Sequence, residues 1–414
     1  MRIRNTGAVL AFVLLLAACT GPFAKPAVSY KERQLLASAL EPPIVQASNS
    51  FGLRLHKQLS ESKPGTNVIL SPVSLSTAMA MTYNGSKGET KAAMAAALGW
   101  QDLPLEQLNG EYKKLGALLR EPGSKVKLNT ANSLWLNNKW KFHDSFLDTV
   151  RSSYEAELRS LDLQGKKAVG TINDWVSKKT NHRIPSLLTN PLPPEAVLVL
   201  VNAISFQGGW KHEFDPSLTR EGVFKLAGGG TKKVPLMSLG QQLEYLETDE
   251  AEAVRLPYGD GQMAMLLIVP KEGIRLDAVQ AKLWQDPTPW QQRYPAIPGD
   301  LRLPKFKAEY GAELREELEA MGMKLPFDRT KADFSAMAPS PPNLFIGQIV
   351  HKTFLEVNEK GTEAAAATAV LMEAGSAPPK QRFSLTVDRP FFFAIEDRQT
   401  GAWLFMGSIY EPMP

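Results

Sequence analysis

The chain has 414 residues, 43% of them hydrophobic, and a formal net charge of +4. That length and apolar share support a large buried core, and length alone suggests two or three domains. So mild a charge excludes the basic surface of a nucleic-acid binder, and a single cysteine excludes an internal disulfide.

Taken in chain order, residues 1–18, "MRIRNTGAVLAFVLLLAA", place Arg2 and Arg4 ahead of an apolar run. The pattern is that of a secretory signal, too short and wrongly flanked for a spanning helix. Losing both arginines takes the net charge from +4 to +2. The run ends in Leu16-Ala17-Ala18-Cys19, which resembles the lipobox of bacterial lipoproteins, where the cysteine becomes the acylated first residue. Buried acyl chains contribute ~0.8 kcal/mol per methylene, so several would hold the protein on a membrane. Thr20 offers no acidic retention signal, so the expected place is the cell envelope, at the outer membrane if the host has one. Residues 19–43 read as a tether framed by Pro22, Pro26, Pro42 and Pro43. A coil of that length spans roughly 25–30 Å. "SYKERQLLASAL" within it makes a helical turn or two, marginal alone.

From Ile44 to the C-terminus no linker, repeat or low-complexity break interrupts the chain. Helices are predicted for "AAMAAALG" (92–99), stopped by Gly99, and for "LEQLNGEYKKLGALLR" (105–120) from its leucine spacing. A third is predicted in "TINDWVSKKTNHRIPSLL" (171–188), with Thr171 as its cap and Pro185 as its stop. Strands are predicted at 196–206, 262–270, 383–387, 391–396 and 403–410, with turns at "GGG" (228–230), "YGDG" (258–261) and "RQTG" (398–401). Without βαβ alternation, this mixture indicates α+β with a largely antiparallel sheet.

Enzyme motifs are absent: no HExxH, GxSxG, Walker loop or GxGxxG. "GGGTKK" (228–233) reads as a hairpin turn, and "SESK" (60–63) runs into Pro64-Gly65 with no partner motif. The histidines, His56, His143, His182, His212 and His351, show no metal spacing, so neither metal nor cofactor is expected.

The stretch "EKGTEAAAATAVLMEAGSAPP" (359–379) is the unusual one. It has helix-forming alanines between loop residues. At a period of two, Thr362, Ala364, Ala366, Thr368, Val370 and Met372 make one small, uncharged side, while Glu363 and Glu373 fall on the other. Composition alone favours a surface helix.

Seven blocks in order resemble the serpin family, from about Ile44 to the end: "NVILSPVSLSTAMAMTYNGSKGETKAAM", "INDWVSKKTNHRIPSLL", "LVLVNAISFQGGWKHEFDP", "LPKFKAEYGAELREELEAMGMKLPF", "ADFSAM", "HKTFLEVNEKGTEAAAATAV" and "DRPFFFAIEDRQTGAWLFMG". Departures are small: His182 and Ala336 stand where glycine is common.

The resemblance implies one domain over 44–414, with a helical part, three β-sheets and an exposed reactive-centre loop at about 359–383. That loop would be bait for a protease, its N-terminal part entering the central sheet as a strand after cleavage. The hinge would be Glu359, Lys360, Gly361, Thr362, Glu363, Ala364, Ala365, Ala366, Ala367 and Thr368. The shutter under the central sheet would be Ser71, Ser74, Asn202 and His351, and the breach residue Trp210. Counting fourteen positions from Gly361 puts the reactive bond at Gly375–Ser376. Small residues there imply an elastase- or subtilisin-like serine protease as partner, trapped as a covalent acyl-enzyme by a monomeric inhibitor. The alternatives are a non-inhibitory binding protein of the same fold and an inhibitor of papain-like cysteine proteases.

Overall fold

The computed structural model describes residues 29–154, 156–189, 191–193, 195–339, 344–362 and 382–413, apart from the side chains at 130 and 131. The signal segment, Cys19, the hinge residues Glu363–Thr368 and the bond Gly375–Ser376 lie outside them.

Helices gather in the first half: α1 (Tyr30–Ser38), α2 (Pro42–Ser62), α3 (Pro72–Tyr83), α4 (Gly88–Leu98), α5 (Leu105–Arg120), α6 (Asp144–Tyr154) and α7 (Ala168–Lys179). Gly99 ends α4 in the left-handed conformation, φ 75°, as its position implied. α5 has the predicted bounds. α7 starts at Ala168, so Thr171 lies inside its first turn rather than at the cap, and its hydroxyl donates back to the Lys167 carbonyl at 2.9 Å. His182, standing where glycine is common, has φ 63°, and its ring Nδ1 lies 2.9 Å from the Ser177 hydroxyl. Among the described residues no helix is long and apolar enough to cross a membrane.

The strands are β1 (Val68–Leu70), β2 (Val126–Asn137), β3 (Glu157–Leu161), β4 (Leu198–Gly209), β5 (Arg220–Lys225), β6 (Thr231–Glu247), β7 (Ala251–Tyr258), β8 (Met263–Pro270), β9 (Ala296–Pro304), β10 (Phe306–Glu313), β11 (Ile349–Asn358), β12 (Gly361–Thr362), β13 (Phe383–Thr386), β14 (Phe391–Asp397) and β15 (Trp403–Ile409). They form an α+β fold with two hydrogen-bonded sheets. The six-stranded one runs β10-β11-β12-β4-β2-β3. The nine-stranded one runs β1-β15-β14-β8-β7-β6-β9-β13, with β5 also on β6. Three sheets were expected. Two of them are continuous here because the 17-residue β6 pairs with β5, β9 and β7 along its length.

β8, β14 and β15 are buried at every residue, which is why they read as unbroken apolar runs instead of alternating. α3 is almost wholly buried against β15 and β4, and so shows no polar face.

The segment read as tether is partly docked. Arg33 is fully buried in α1, its guanidinium 3.1 and 2.8 Å from the two carboxylate oxygens of Asp397. The Glu41 amide donates to Glu111 at 2.7 Å, and Lys114 to the Ala39 carbonyl at 3.0 Å. From Ser29 onward the chain is therefore part of the body rather than a tether.

Candidate functional site

β4 and β11 run parallel and in register, from Leu200 opposite Ile349 to Ser205 opposite Phe354. Above that seam the two-residue β12 lies between them, antiparallel to both. Thr362 faces Val357 and Gly208, and Gly361 faces Asn358 and Gly209. Gly361 and Thr362 thus form a strand between β11 and β4. Gly361 is required there. Its φ is +150°, and an added Cβ would lie 2.0 Å from the Gly208 carbonyl oxygen. Thr362 is wholly buried, its hydroxyl 2.7 Å from that of Tyr258.

Trp210, buried beside β12, stacks on Tyr258 at 4.4 Å and donates its indole N–H to the Asn358 carbonyl at 2.9 Å. Its backbone N–H donates to the Lys360 carbonyl at 2.9 Å. Glu359 pairs with Lys305 at 2.9 Å and accepts from the Thr219 hydroxyl at 2.9 Å. Burial opposes the charge on Glu359, but Lys305, a backbone donor and Thr219 outweigh it and hold the carboxyl below its ordinary value. The structure therefore brings Glu359, Lys360, Gly361, Thr362 and Trp210 together. It adds Tyr258, Lys305 and Thr219, which no local pattern marked: Tyr258 lies 104 positions from Thr362.

Ser71, Ser74, Asn202 and His351 also meet, all of them buried. The Ser71 amide donates to His351 Nε2 at 3.1 Å, so the ring proton is on Nδ1 and goes to Asn202 Oδ1 at 2.9 Å. Asn202 donates to the Ser74 carbonyl at 2.9 Å and to Asn132 Oδ1 at 2.8 Å. Asn132 is the member missed in the sequence. His351 and Asn202 are direct register partners across the β4–β11 seam, so a strand entering there must part this bond.

Burial pushes the pKa of His351 down to about 3, and that of His56 likewise to about 3. Each stays neutral in the fold but takes a proton when unfolded below about pH 6.5. Their stabilising contribution is complete above that pH and falls as pH drops from about 6.5 towards 3. Each costs about 1.4 kcal/mol per pH unit in that window, or roughly 4 kcal/mol for both at pH 5. Thermal midpoints between pH 7.5 and 5 should fall accordingly. His351→Ala should lower stability by ~1–3 kcal/mol at pH 7.5, because its partners are left unsatisfied. It should also make the acid slope shallower and promote premature insertion or polymers. An unchanged melting curve, with no polymers on a native gel, would contradict the role.

One buried pair has the look of hydrolytic machinery. Ser408 Oγ lies 2.9 Å from His56 Nε2. The Trp284 indole donates to His56 Nδ1 at 3.1 Å, so Nε2 carries the ring proton and donates to Ser408. A base activating a serine must accept at that atom, so the pair is structural. Among the described residues no group of His, Cys, Asp and Glu is arranged to hold a metal.

A family model described as "Serpin (serine protease inhibitor)" matches residues 46–412. A serpin-like protein of Thermococcus kodakarensis is 36% identical over 385 residues, which are 91% of this chain and 88% of that one. The human leukocyte elastase inhibitor is 33% identical over 382 residues, 88% of this chain and 98% of that one. Among solved structures, the thermophilic serpin tengpin in its native state superposes with a TM-score of 0.81 at 33% identity, covering 89% of this chain and 94% of its own. Human thyroxine-binding globulin in complex with thyroxine also gives 0.81, at 28% identity, covering 90% of this chain and 100% of its own. With a family match over nearly its whole length, this chain belongs to the serpin family.

Proposed function

We propose that this serpin is a suicide-type inhibitor of serine proteases outside the cytoplasm, of the elastase- or subtilisin-like kind that prefers small residues. The carrying observation is Gly361–Thr362 seated between β11 and β4, in line with the parallel seam between those two strands. A protease serine attacks the carbonyl of Gly375. The amide to Ser376 breaks, and Gly375 is left as an ester on the enzyme. Insertion then continues from Thr362. Ala364 and Ala366 follow it on the side that meets the core, small enough to part the strands. Each new ladder bond contributes roughly 1 kcal/mol net. About fourteen residues at ~3.3 Å carry the ester roughly 46 Å. Deacylation needs the enzyme's base and oxyanion hole in line, and the jammed enzyme loses that alignment.

Subtilisin or elastase should give an SDS-stable complex and release a peptide beginning at Ser376, within one or two residues. A trypsin pocket needs a cation, and the nearest, Lys380 and Arg382, would leave an overlong strand. A peptide beginning at Gln381 or Phe383, with a stable trypsin complex, would overturn both site and target class. A second reading, a binding protein that does not inhibit, has the match to thyroxine-binding globulin in its favour. Cleavage without trapping by every protease tried would select it, whereas a stable papain complex would extend the inhibitor to cysteine enzymes.

We further propose that acylated Cys19 holds the mature protein at the cell envelope. In the native host, Cys19→Ala should move the protein from the membrane fraction to the soluble one. If the variant stays membrane-bound to the wild-type extent, the anchor lies elsewhere.

A further inference from the structure

α1 is turned the wrong way round for a helix docked on a protein body. The described residues expose six large apolar side chains, and three of them, Tyr30, Leu35 and Leu36, belong to this nine-residue helix. Leu35 is 65% exposed and Leu36 49%, while Arg33 is wholly buried. Arg33, Ala37 and Leu40 make the inner face, at the i, i+4, i+7 spacing. Exposed Ala39 follows Leu35 by four positions and Leu36 by three, so these residues share an outer apolar strip. The pair of Arg33 with Asp397 fixes that rotation. Burying leucine and exposing arginine is the ordinary choice. The reverse arrangement leaves the leucines for something apolar outside the body.

The neighbouring groups suit a lipid surface. Glu32, the one acid of α1, is turned back onto the Ser29 amide and hydroxyl, at 2.9 and 2.8 Å. Lys31 is exposed, on a stem long enough to meet an anionic headgroup while the leucines go deeper. Tyr30 has the apolar body and polar tip that settle at a membrane–water boundary. Position agrees as well. Cys19 precedes Ser29 by ten positions, and a chain of that length spans at most ~36 Å. An acyl group on Cys19 would therefore keep α1 beside the bilayer.

We propose that the outer strip of α1 docks on the lipid surface that anchors Cys19, so that the body is held in one orientation instead of turning freely about its N-terminus. Leu35 and Leu36 enter the headgroup–acyl boundary, with Tyr30 and Lys31 at its edge. Three apolar side chains do not hold a protein of 45.6 kDa on a membrane by themselves. Beside an anchor they need not, because linkage raises the effective concentration of the second contact to the millimolar range. Attachment thus belongs to Cys19 and orientation to α1, and the proposal rests on the anchoring reading above.

Cys19 is the only cysteine, so once it is acylated an introduced thiol is unique. Ala39→Cys places a nitrobenzoxadiazole label on the strip without removing a leucine. Gly228→Cys places it on the exposed β5–β6 turn. Beside that turn the Lys225 amide donates to the Asp388 carbonyl, just before β14 begins, whereas Arg33 meets Asp397, where β14 ends, ~20 Å away. The acylated protein is reconstituted on vesicles of phosphatidylcholine with a minority of phosphatidylglycerol, doped with lipid carrying a nitroxide near the headgroup end of its chain. Quenching at position 39 should exceed that at 228 several-fold, with a blue-shifted emission. Leu35→Gln with Leu36→Gln, both helix-compatible, should bring it down to the level at 228, with the vesicle-bound fraction and the thermal midpoint unchanged. Equal quenching at the two positions, or quenching indifferent to this double variant, overturns the docking. A dimer in solution that the double variant dissolves, with no quenching at 39, would give the strip to a second copy of the chain and overturn it too. Mass spectrometry of the membrane form reports the acyl group itself. If Cys19 carries none, the anchoring reading fails, and a Cys19→Ser chain held by an N-terminal hexahistidine on nickel-chelating lipid still decides whether α1 docks.

Discussion

Thr362→Arg should convert the protein from inhibitor to substrate. Thr362 has no accessible surface, and its hydroxyl is already satisfied by Tyr258 at 2.7 Å. A guanidinium there would be a buried charge without a partner, which costs several kcal/mol. The chain avoids that cost by leaving the seam, and the strand then lacks its first pair with Val357 and Gly208. Insertion after cleavage must pass the same residue, so it stalls while deacylation proceeds. On an SDS gel with subtilisin, nearly all of the variant should run as cleaved product. Thr362→Val keeps the shape and loses only the Tyr258 bond, about 1 kcal/mol, and should still trap. Wild-type stoichiometry from the arginine variant would remove insertion as the mechanism.

What could be read in advance divides by the range of the interactions responsible. α5 has the bounds its leucine spacing gave, because its apolar stripe is local. The Gly99 stop and the β7–β8 and β14–β15 turns are equally local, and all fall where turn residues placed them. Thr171 misled because a threonine at the start of an apolar run can cap a helix or, as here, bond back to the preceding turn. The hinge and shutter could be named only through resemblance. Their partners could not be named at all: Lys305 for Glu359 and Asn132 for Asn202 depend on which strands lie side by side. Nothing in residues 359–362 says that two of them already form a strand. That follows from their pairing with Asn358 and Val357 on one side and Gly209 and Gly208 on the other, which depends on how the strands are arranged.

The misjudged tether gives the other large expected effect. "SYKERQLLASAL" is polar and short, so it reads as a marginal helix on a flexible arm. Its Ser29 cap and Glu32 do form a capping box. What holds the helix, however, is Arg33, whose side chain passes into the body. Besides Asp397, it donates to the Glu121 carbonyl at 2.6 Å, to Gln399 Oε1 at 2.6 Å and to the Leu118 carbonyl at 3.3 Å. Each hydrogen bond joins α1 either to the end of α5 or to the β14–β15 turn. Arg33→Ala would leave Asp397 buried and uncompensated, a loss of about 3–5 kcal/mol. α1 should then detach, exposing its backbone to proteolysis near Arg33 while the rest stays folded. The double variant Arg33→Met with Asp397→Leu removes both charges and should recover most of the loss, since an apolar pair of similar volume is often neutral. Thermal midpoints at one fixed scan rate, with limited proteolysis beside them, would separate the cases. If Arg33→Ala melts with the wild type and resists protease equally, the docked arm contributes nothing to the fold, and residues 29–40 revert to tether.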